Sequence, residues 1–367
     1  MRIVHVIYDD VGNPWLGGGG AARAWAVNRR LLDRAAEITM ICGNYPGHGG
    51  AGQYEGIRVF RPGSDRSYLR SRLSFARRAE ELLKSLDYDL MVQDASAFHP
   101  IDSAAGTPTV GIVHHILGRE LLRKFPVAGV LPYYWEHRIV GGFTDIIADA
   151  AVVREHIRDG YNSEASVDII PNGVDAELLD VDPEENGTIL FLGRLEIYQK
   201  GLDVLLDAFA RLGEAHAGVT LVVAGSGKDE QKVRSAVQRL GLQKRVRFEG
   251  RVDGVGKIEC LRTCLFCVMP SRYEGWPVVA IEAGACAKAV IGTRIDGFRD
   301  AVLEGETGLL AEPGDDASLA RCIERLLCDD AARRRMGANG RERARDFTWD
   351  HVAEQQWAVY QRVVESA

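Results

Sequence analysis

Leu265-Phe266-Cys267-Val268-Met269 leads through Pro270 into Ser271-Arg272-Tyr273-Glu274-Gly275-Trp276-Pro277-Val278-Val279-Ala280-Ile281-Glu282. The first five residues are a continuous apolar run of strand length, which suits a strand buried on both faces. The residues after Pro277 are apolar and suit a helix. Proline fits the first helical position, where its missing N–H costs nothing. A helix start offers N–H groups and a positive dipole end to an anion. Glu274 in the loop and Glu282 about two turns into the helix flank that start. The stretch reads as a site for a phosphorylated sugar.

Working outward, the same alternation repeats. In the second half, strands are expected at 188–192, 220–224, 246–248 and 289–292. Helices are expected at 202–212, 229–240, 257–261, 278–285 and 317–327, with a last one at 349–363. In the first half, strands are expected at 3–8, 38–41, 57–60, 89–93, 109–114 and 146–148. Helices are expected at 21–32, 68–85 and 131–140. Such alternation indicates parallel sheets covered by helices. The acidic, aperiodic stretch Asp180-Val181-Asp182-Pro183-Glu184-Glu185-Asn186-Gly187 reads as the domain linker. The fold class is α/β, with two doubly wound Rossmann-like domains facing a cleft. Ligands of such sheets lie outside the carboxyl ends of the strands.

Bulk properties agree. A chain of 367 residues is long for one core and suits two domains. A formal charge of −7 argues against a nucleic-acid binder. No apolar run approaches the roughly 20 residues needed to cross a bilayer. Met1-Arg2-Ile3-Val4-His5 opens a first strand rather than a signal peptide. Seven scattered cysteines suit a reducing, cytoplasmic setting.

Other residues fall at predicted strand ends. Gly193-Arg194-Leu195-Glu196-Ile197-Tyr198-Gln199-Lys200-Gly201 places two cations in one strand–helix loop. Arg offers a planar fork to phosphate oxygens and Lys a point charge. Gly17-Gly18-Gly19-Gly20 opens a helix and is either a flexible turn or a close approach to a ligand. His114 ends a strand. Glu282 suits two ribose hydroxyls, because a carboxylate only accepts. Gly225-Ser226-Gly227-Lys228 fails as a P-loop, having Val222 and Asp229 at the positions that need glycine and a hydroxyl. Cys264-Leu265-Phe266-Cys267 reads as packed thiols. The run of Arg61, Arg66, Arg70, Arg72, Arg77 and Arg78 reads as a solvated face. The alternative is a patch for an anionic acceptor or a membrane surface.

Taken with Ile170-Pro171-Asn172-Gly173-Val174-Asp175, the Arg194 to Lys200 loop and the Glu274…Glu282 spacing resemble glycosyltransferase family 4. Members have the GT-B fold and retain anomeric configuration. The resemblance implies an acceptor-binding domain at 1–170, a nucleotide-sugar-binding domain at 171–350, and a helix at 351–367 that crosses back. It implies that Arg194 and Lys200 hold the donor diphosphate. Glu274 contacts the sugar, with backbone N–H groups of Gly275, Trp276, Pro277, Val278 and Val279 in the stretch around sugar and phosphate (Pro277 itself has none). Glu282 holds the ribose. Arg251 and Val252 lie where the base is held, Gly19 and Gly20 approach the phosphates, and His114 lies near the sugar. Ala287-Lys288-Ala289-Val290 and Asp296-Gly297-Phe298-Arg299-Asp300 depart from the family's usual Gly-Lys-Pro-Val and Gly-Gly-x-x-Glu.

The expected activity is metal-independent, retaining transfer of a hexose from a UDP- or GDP-sugar to an unidentified glycan, lipid-linked or small-molecule hydroxyl. His114 and Glu274 are the expected catalytic residues, and no cofactor is expected beyond the nucleotide-sugar co-substrate. An epimerase, a glycosyl phosphorylase or a non-catalytic sugar-nucleotide binder would share the clamp. A glycosidase pair would not call for one.

Overall fold

The computed structural model describes residues 1–15, 18–48, 50–98, 101, 106–124, 126–213 and 216–367. The chain divides into two units, Met1–Asn172 with Trp349–Ala367, and Gly173–Thr348.

Unit 1 contains β1 (Arg2–Val6), α1 (Gly19–Arg30), β2 (Glu37–Ile41), β3 (Gly50–Tyr54), β4 (Ile57–Arg61), α2 (Tyr68–Leu83), β5 (Leu90–Asp94) and β6 (Thr109–Val113). It continues with α3 (Glu120–Lys124), α4 (Val130–Gly142), β7 (Asp145–Ala148), α5 (Ala151–Gly160) and β8 (Ser166–Ile169). Among the described residues its sheet has the order β3-β4-β2-β1-β5-β6-β7-β8. All its pairings are parallel except that of β3 with β4. The missed β3 is Gly-Ala-Gly-Gln-Tyr, an exposed edge strand without the apolar signal that marks the others.

Unit 2 contains β9 (Thr188–Leu192), α6 (Ile197–Lys200), α7 (Leu202–Arg211), β10 (Thr220–Ala224), α8 (Glu230–Arg239), β11 (Val246–Gly250), α9 (Gly254–Thr263) and β12 (Phe266–Val268). It continues with α10 (Val278–Ala285), β13 (Ala289–Thr293), α11 (Asp296–Ala301), β14 (Gly308–Ala311), α12 (Asp316–Cys328) and α13 (Asp330–Ala344). Its sheet is parallel, in the order β11-β10-β9-β12-β13-β14. The last helix, α14 (Trp349–Glu365), belongs to unit 1, where Trp349, Val352 and Tyr360 share a core with α1 and β1.

Alternation along β1 sorts that unit's core. Ile3 packs on the side of α1 and α14, while Val4 and Val6 meet Phe75 and Ala79 of α2. In unit 2 the missed helix α13 buries Ala332, Met336, Gly340 and Ala344, a stripe at a spacing of four. Small residues leave little trace in an apolar pattern. They let α13 come against the buried α10, and a Cβ on Gly340 would lie 3.1 Å from Gly284 Cα. Helix α10 is thereby fixed from behind.

Two expectations are corrected. The units divide after Asn172, and the acidic stretch 180–187 is strapped to unit 2 rather than free. Lys288 Nζ donates to Glu184 O at 2.6 Å, Arg262 pairs with the Glu184 carboxylate, Arg333 and Arg334 pair with Glu185, and Arg341 donates to Val181 O. Its charges answer basic residues remote in sequence. The arginine run is not one face either. Arg61 is buried, with Nε and Nη2 at 2.9 and 2.8 Å from Asp10 Oδ2, and its guanidinium lies over the Tyr54 ring at 5.0 Å. Arg72 lies 4.9 Å from the centres of both the Tyr8 and Phe98 rings. Arg77 and Arg78 pair with Glu81, and Arg66 and Arg70 are exposed.

Removing Arg61 would strand the buried Asp10 carboxylate. Arg61→Ala is expected to cost unit 1 about 3–5 kcal/mol, and the exposed Arg66→Ala less than about 0.5 kcal/mol. Chemical denaturation of both variants checks the contrast, and equal losses would refute it.

Candidate functional site

In each sheet the chain winds first to one side of its opening strand and then to the other. In unit 2 the chain runs from β9 to β10 and β11 on one side, then adds β12 on the other. The loops after β9 and β12 therefore flank a switch point, the usual ligand position of such sheets. Gly201 brings them together. It ends α6 in the left-handed conformation, with φ of 64°, and a Cβ there would lie 1.9 Å from Pro270 O. Arg272 reaches back along the same seam. Its two Nη atoms donate to Asp203 at 3.0 and 2.7 Å, and Nη1 also donates to Tyr198 O at 3.0 Å.

The result is a compact polar cluster. Lys200 Nζ lies 2.5 Å from Glu274 Oε1, and Ser271 Oγ donates to the same oxygen at 2.7 Å. Thr293 Oγ1 holds Ser271 O at 2.5 Å. Gly297 supports the loop from below, since a Cβ would lie 2.5 Å from Glu274 O and 2.6 Å from Gly275 O. The departure at 296–300 thus keeps the glycine the geometry requires. At the other departure, Ala287 stands in the left-handed region at φ 55°, which glycine would occupy without strain.

Other expected donor residues are placed differently. Pro277 is the N-cap of α10, not its first residue, because its ψ of 81° is not helical. The Val278 N–H already donates to Trp276 O at 3.0 Å, and the Ala280 N–H to Pro277 O at 2.8 Å. Trp276 is buried against Phe347, and Val279 is half-buried. Arg194 is not in the cluster. It is 67% exposed, donates to Gln199 Oε1 at 3.1 Å and lies 3.7 Å from Glu196. Arg251 is exposed after β11, while Val252 packs against the unit's core.

Glu282 is buried, and its Oε1 accepts from Lys257 Nζ at 2.6 Å. Burial raises its carboxyl above the usual range, and Lys257 offsets part of that. Sequence reasoning missed Lys257, which belongs to α9, a separate element. It also set aside Lys228, which pairs with Glu196 beside Arg194. Strand order was the missing signal. Parallel β9 and β10 put their loops side by side, with Leu195 N–H donating to Ser226 O at 3.0 Å and Asp229 N–H to Leu195 O at 3.1 Å.

Unit 1 has its own switch point, between β1 and β5. Asp94 ends β5, and both its oxygens meet histidines. His5 Nε2 lies 2.7 Å from Oδ2, and His114 Nε2 lies 2.8 Å from Oδ1. His114 Nδ1 stands 3.6 Å from Asp149 Oδ2. Burial alone would depress the His114 imidazolium, but Asp149 and Asp94 outweigh it and push it up to about 9. Burial would raise Asp94, yet the two histidines hold it below the usual carboxylate range. Asp9 is pushed up to about 6 by burial and by Asp94.

Gly20 lies over this bond, because a Cβ there would be 3.2 Å from His114 Nε2. Around Gly19 such an atom would meet nothing, and Gly17 lies outside the described residues. Behind the loop, buried Arg23 donates to Ile170 O at 2.7 Å and to Gln356 Oε1 at 3.1 Å. The start of the Ile170–Asp175 motif is thereby tied to α1 and α14. The sequence offered a signal for His5 and Asp94, as polar residues in or ending apolar strands.

Gly201→Ala is expected to destabilise unit 2 by more than about 1 kcal/mol, because alanine there is strained and meets a carbonyl. Gly213→Ala, with open space around it, is expected to change little. Thermal unfolding of the two variants tests this, and equal melting temperatures would contradict it.

Residues 180–343 match the family model "Glycosyl transferases group 1", and residues 17–178 match "Glycosyltransferase Family 4". The phosphatidyl-myo-inositol mannosyltransferase of Mycobacterium leprae is 36% identical over 239 residues, 63% of this chain and 62% of that protein. The Mycolicibacterium smegmatis protein of the same name is 32% identical over 267 residues, 71% of this chain and 66% of that one. A glycogen synthase of Mycobacterium tuberculosis is 33% identical over 201 residues, 53% of this chain and 48% of that protein. The chain thus spans roughly half to two thirds of the curated relatives it matches. Among solved structures, sucrose-phosphate synthase from Thermosynechococcus elongatus superposes with a TM-score of 0.82 at 22% identity, over 100% of both chains. Anabaena HepE in complex with UDP gives 0.75 at 19%, over 99% of this chain and 100% of that one. These two likenesses carry the fold alone. By its two family models and its two α/β units, the chain belongs to glycosyltransferase family 4 and has the GT-B type of fold.

Proposed function

We propose that this chain is a retaining glycosyltransferase that moves a hexose from a UDP- or GDP-sugar to a hydroxyl acceptor without a metal ion. The observation that carries the reading is the Lys200–Glu274–Ser271 cluster at the switch point of unit 2. The Glu274 carboxylate pairs with Lys200. A diphosphate brings more charge than one carboxylate and would draw the ammonium towards itself. Glu274 would then accept from sugar hydroxyls or stabilise positive charge at the anomeric carbon. As the anomeric C–O bond breaks, its electron pair leaves with the diphosphate; the acceptor oxygen forms the new bond on the same face, and its hydroxyl proton passes to the departing phosphate oxygen. Each cation 4 Å from a leaving charge, at an effective dielectric of 20, is worth about 4 kcal/mol of Coulomb energy. Lys200 heads this group, and Arg194 and Lys228 stand in the neighbouring loops. Glu282, with Lys257 on one oxygen, keeps the other for ribose hydroxyls.

The names of the two mannosyltransferase relatives support a lipid-linked hydroxyl as acceptor, and that of the glycogen synthase supports a glycan. Thermal stabilisation by UDP, GDP and ADP, followed by product analysis with labelled UDP- and GDP-sugars, tests the donor reading. Stabilisation by UDP or GDP and a transferred label are expected. An epimer formed without any acceptor would overturn it. Lys200→Ala is expected to lower turnover by about a hundredfold or more with the fold retained.

A second reading rests on helix α2. Among the described residues no helix is long and apolar enough to cross a membrane. Leu69 and Leu73, 66% and 70% exposed, lie one turn apart beside exposed Arg66 and Arg70. Apolar side chains edged by arginine suit the surface of an anionic membrane. Co-sedimentation with phosphatidylglycerol vesicles, but not with phosphatidylcholine vesicles, is expected, and Leu69→Ser with Leu73→Ser should weaken it. Equal binding to both vesicle types, or to neither, would refute this reading.

A further inference from the structure

The His5–Asp94–His114 chain is more than packing. Asp94 is the only carboxylate, among the described residues, that accepts from both histidines. It spends both oxygens on them, at 2.7 and 2.8 Å. His5 is fully buried, and its Nδ1 lies 2.8 Å from Asn28 Nδ2. The Asn28 amide thus holds the His5 ring, whose Nε2 holds one Asp94 oxygen and leaves the other aimed at His114. The carboxylate can only accept, so His114 must carry its proton on Nε2. Its Nδ1 faces a second carboxylate, Asp149, at 3.6 Å. Both ring nitrogens therefore face anions, and the second is held loosely enough to turn to another acceptor.

We propose that Asp94, fixed by His5 and Asn28, is a positioning residue that keeps His114 doubly protonated, so that His114 serves as a cation and hydrogen-bond donor rather than a base. This rests on the glycosyltransferase reading, and it specifies what His114 supplies there. The loosely held Nδ1–H is the donor for a sugar or phosphate oxygen. The charge balance agrees. Arg23 and a protonated His114 answer Asp94 and Asp149, whereas a neutral His114 would leave a buried negative charge. The other groups around His114 are Asp9 after β1, Arg72 on α2, whose charge reaches Asp9, Tyr360 on α14, whose charge reaches Asp94, and neighbouring His115. A raised imidazolium stays charged at neutral pH and loses its proton as pH rises through about 9.

Ring-nitrogen NMR of the full chain, with His114→Gln to identify the signal, reads the titration directly. A midpoint near 9 is expected in the unmodified protein, and in Asp94→Asn a midpoint near the ordinary value of about 6.5. The pH profile of label transfer from the nucleotide sugar should follow. At pH 8, relative to pH 6, Asp94→Asn should lose about tenfold or more beyond any loss in the parent. A purely structural role would lower activity equally at both values. A midpoint near 6.5 in the unmodified chain overturns the proposal, and it does so even if Asp94→Asn fails to fold. UDP or GDP stabilisation, measured in parallel, reports on the donor reading separately. Nucleotide binding with an ordinary His114 sinks only this inference, and a raised His114 without nucleotide binding sinks only the donor reading.

Discussion

Parallel pairing of β9 with β12 is the constraint on which the unit 2 cluster depends. The pair is short, with Phe266 and Cys267 opposite Ile189 and Leu190. It joins two segments about 75 residues apart in sequence, and it sets Lys200 against Glu274. Everything nearby enforces that meeting. Gly201 lets the backbone reach Pro270, Arg272 clamps Asp203, and α13 holds α10 through a stripe of small residues. Unit 1 uses the same device. Parallel β1 and β5 bring His5 to Asp94, and β6 beside β5 adds His114.

The two clusters differ in connectivity. In unit 2 one lysine meets one carboxylate, 19% and 12% exposed, with Ser271 on the same oxygen. In unit 1 His114 and Asp94 are similarly exposed, at 20% and 10%, but His5, Asn28 and Asp149 interlock with them. Removing one partner there strands another, which is expensive in a medium that cannot solvate it. The first arrangement suits a group that must rearrange on binding. The second suits one that must hold a protonation state while it does so.

Much of this was legible in the chain. Thr188–Leu192, Thr220–Ala224 and Val278–Ala285 were located to the residue, because continuous apolar runs bounded by turn residues leave little freedom. Lys200, Glu274, Gly20 and His114 stood out because all lie at or just beyond strand ends. The failures share a cause. Arg61 and Arg72 looked like neighbours of Arg66 and Arg70, yet burial depends on which partners the fold supplies. The stretch 180–187 looked like a linker because its partners, Arg262, Lys288, Arg333, Arg334 and Arg341, are far away in sequence.

The sequence by itself determined the alternating pattern, the parallel sheets and the residue types of the candidate site. These follow from local rules, namely apolar periodicity, helix-start chemistry and the conformational reach of glycine. Tertiary structure alone decided the pairings. It gave Glu274 to Lys200, Glu282 to Lys257, and Asp94 to two histidines at once, while leaving Arg194 outside. Strand order and loop contacts set those distances, and a carboxylate or an imidazole takes its charge state from the neighbours that the fold brings to it.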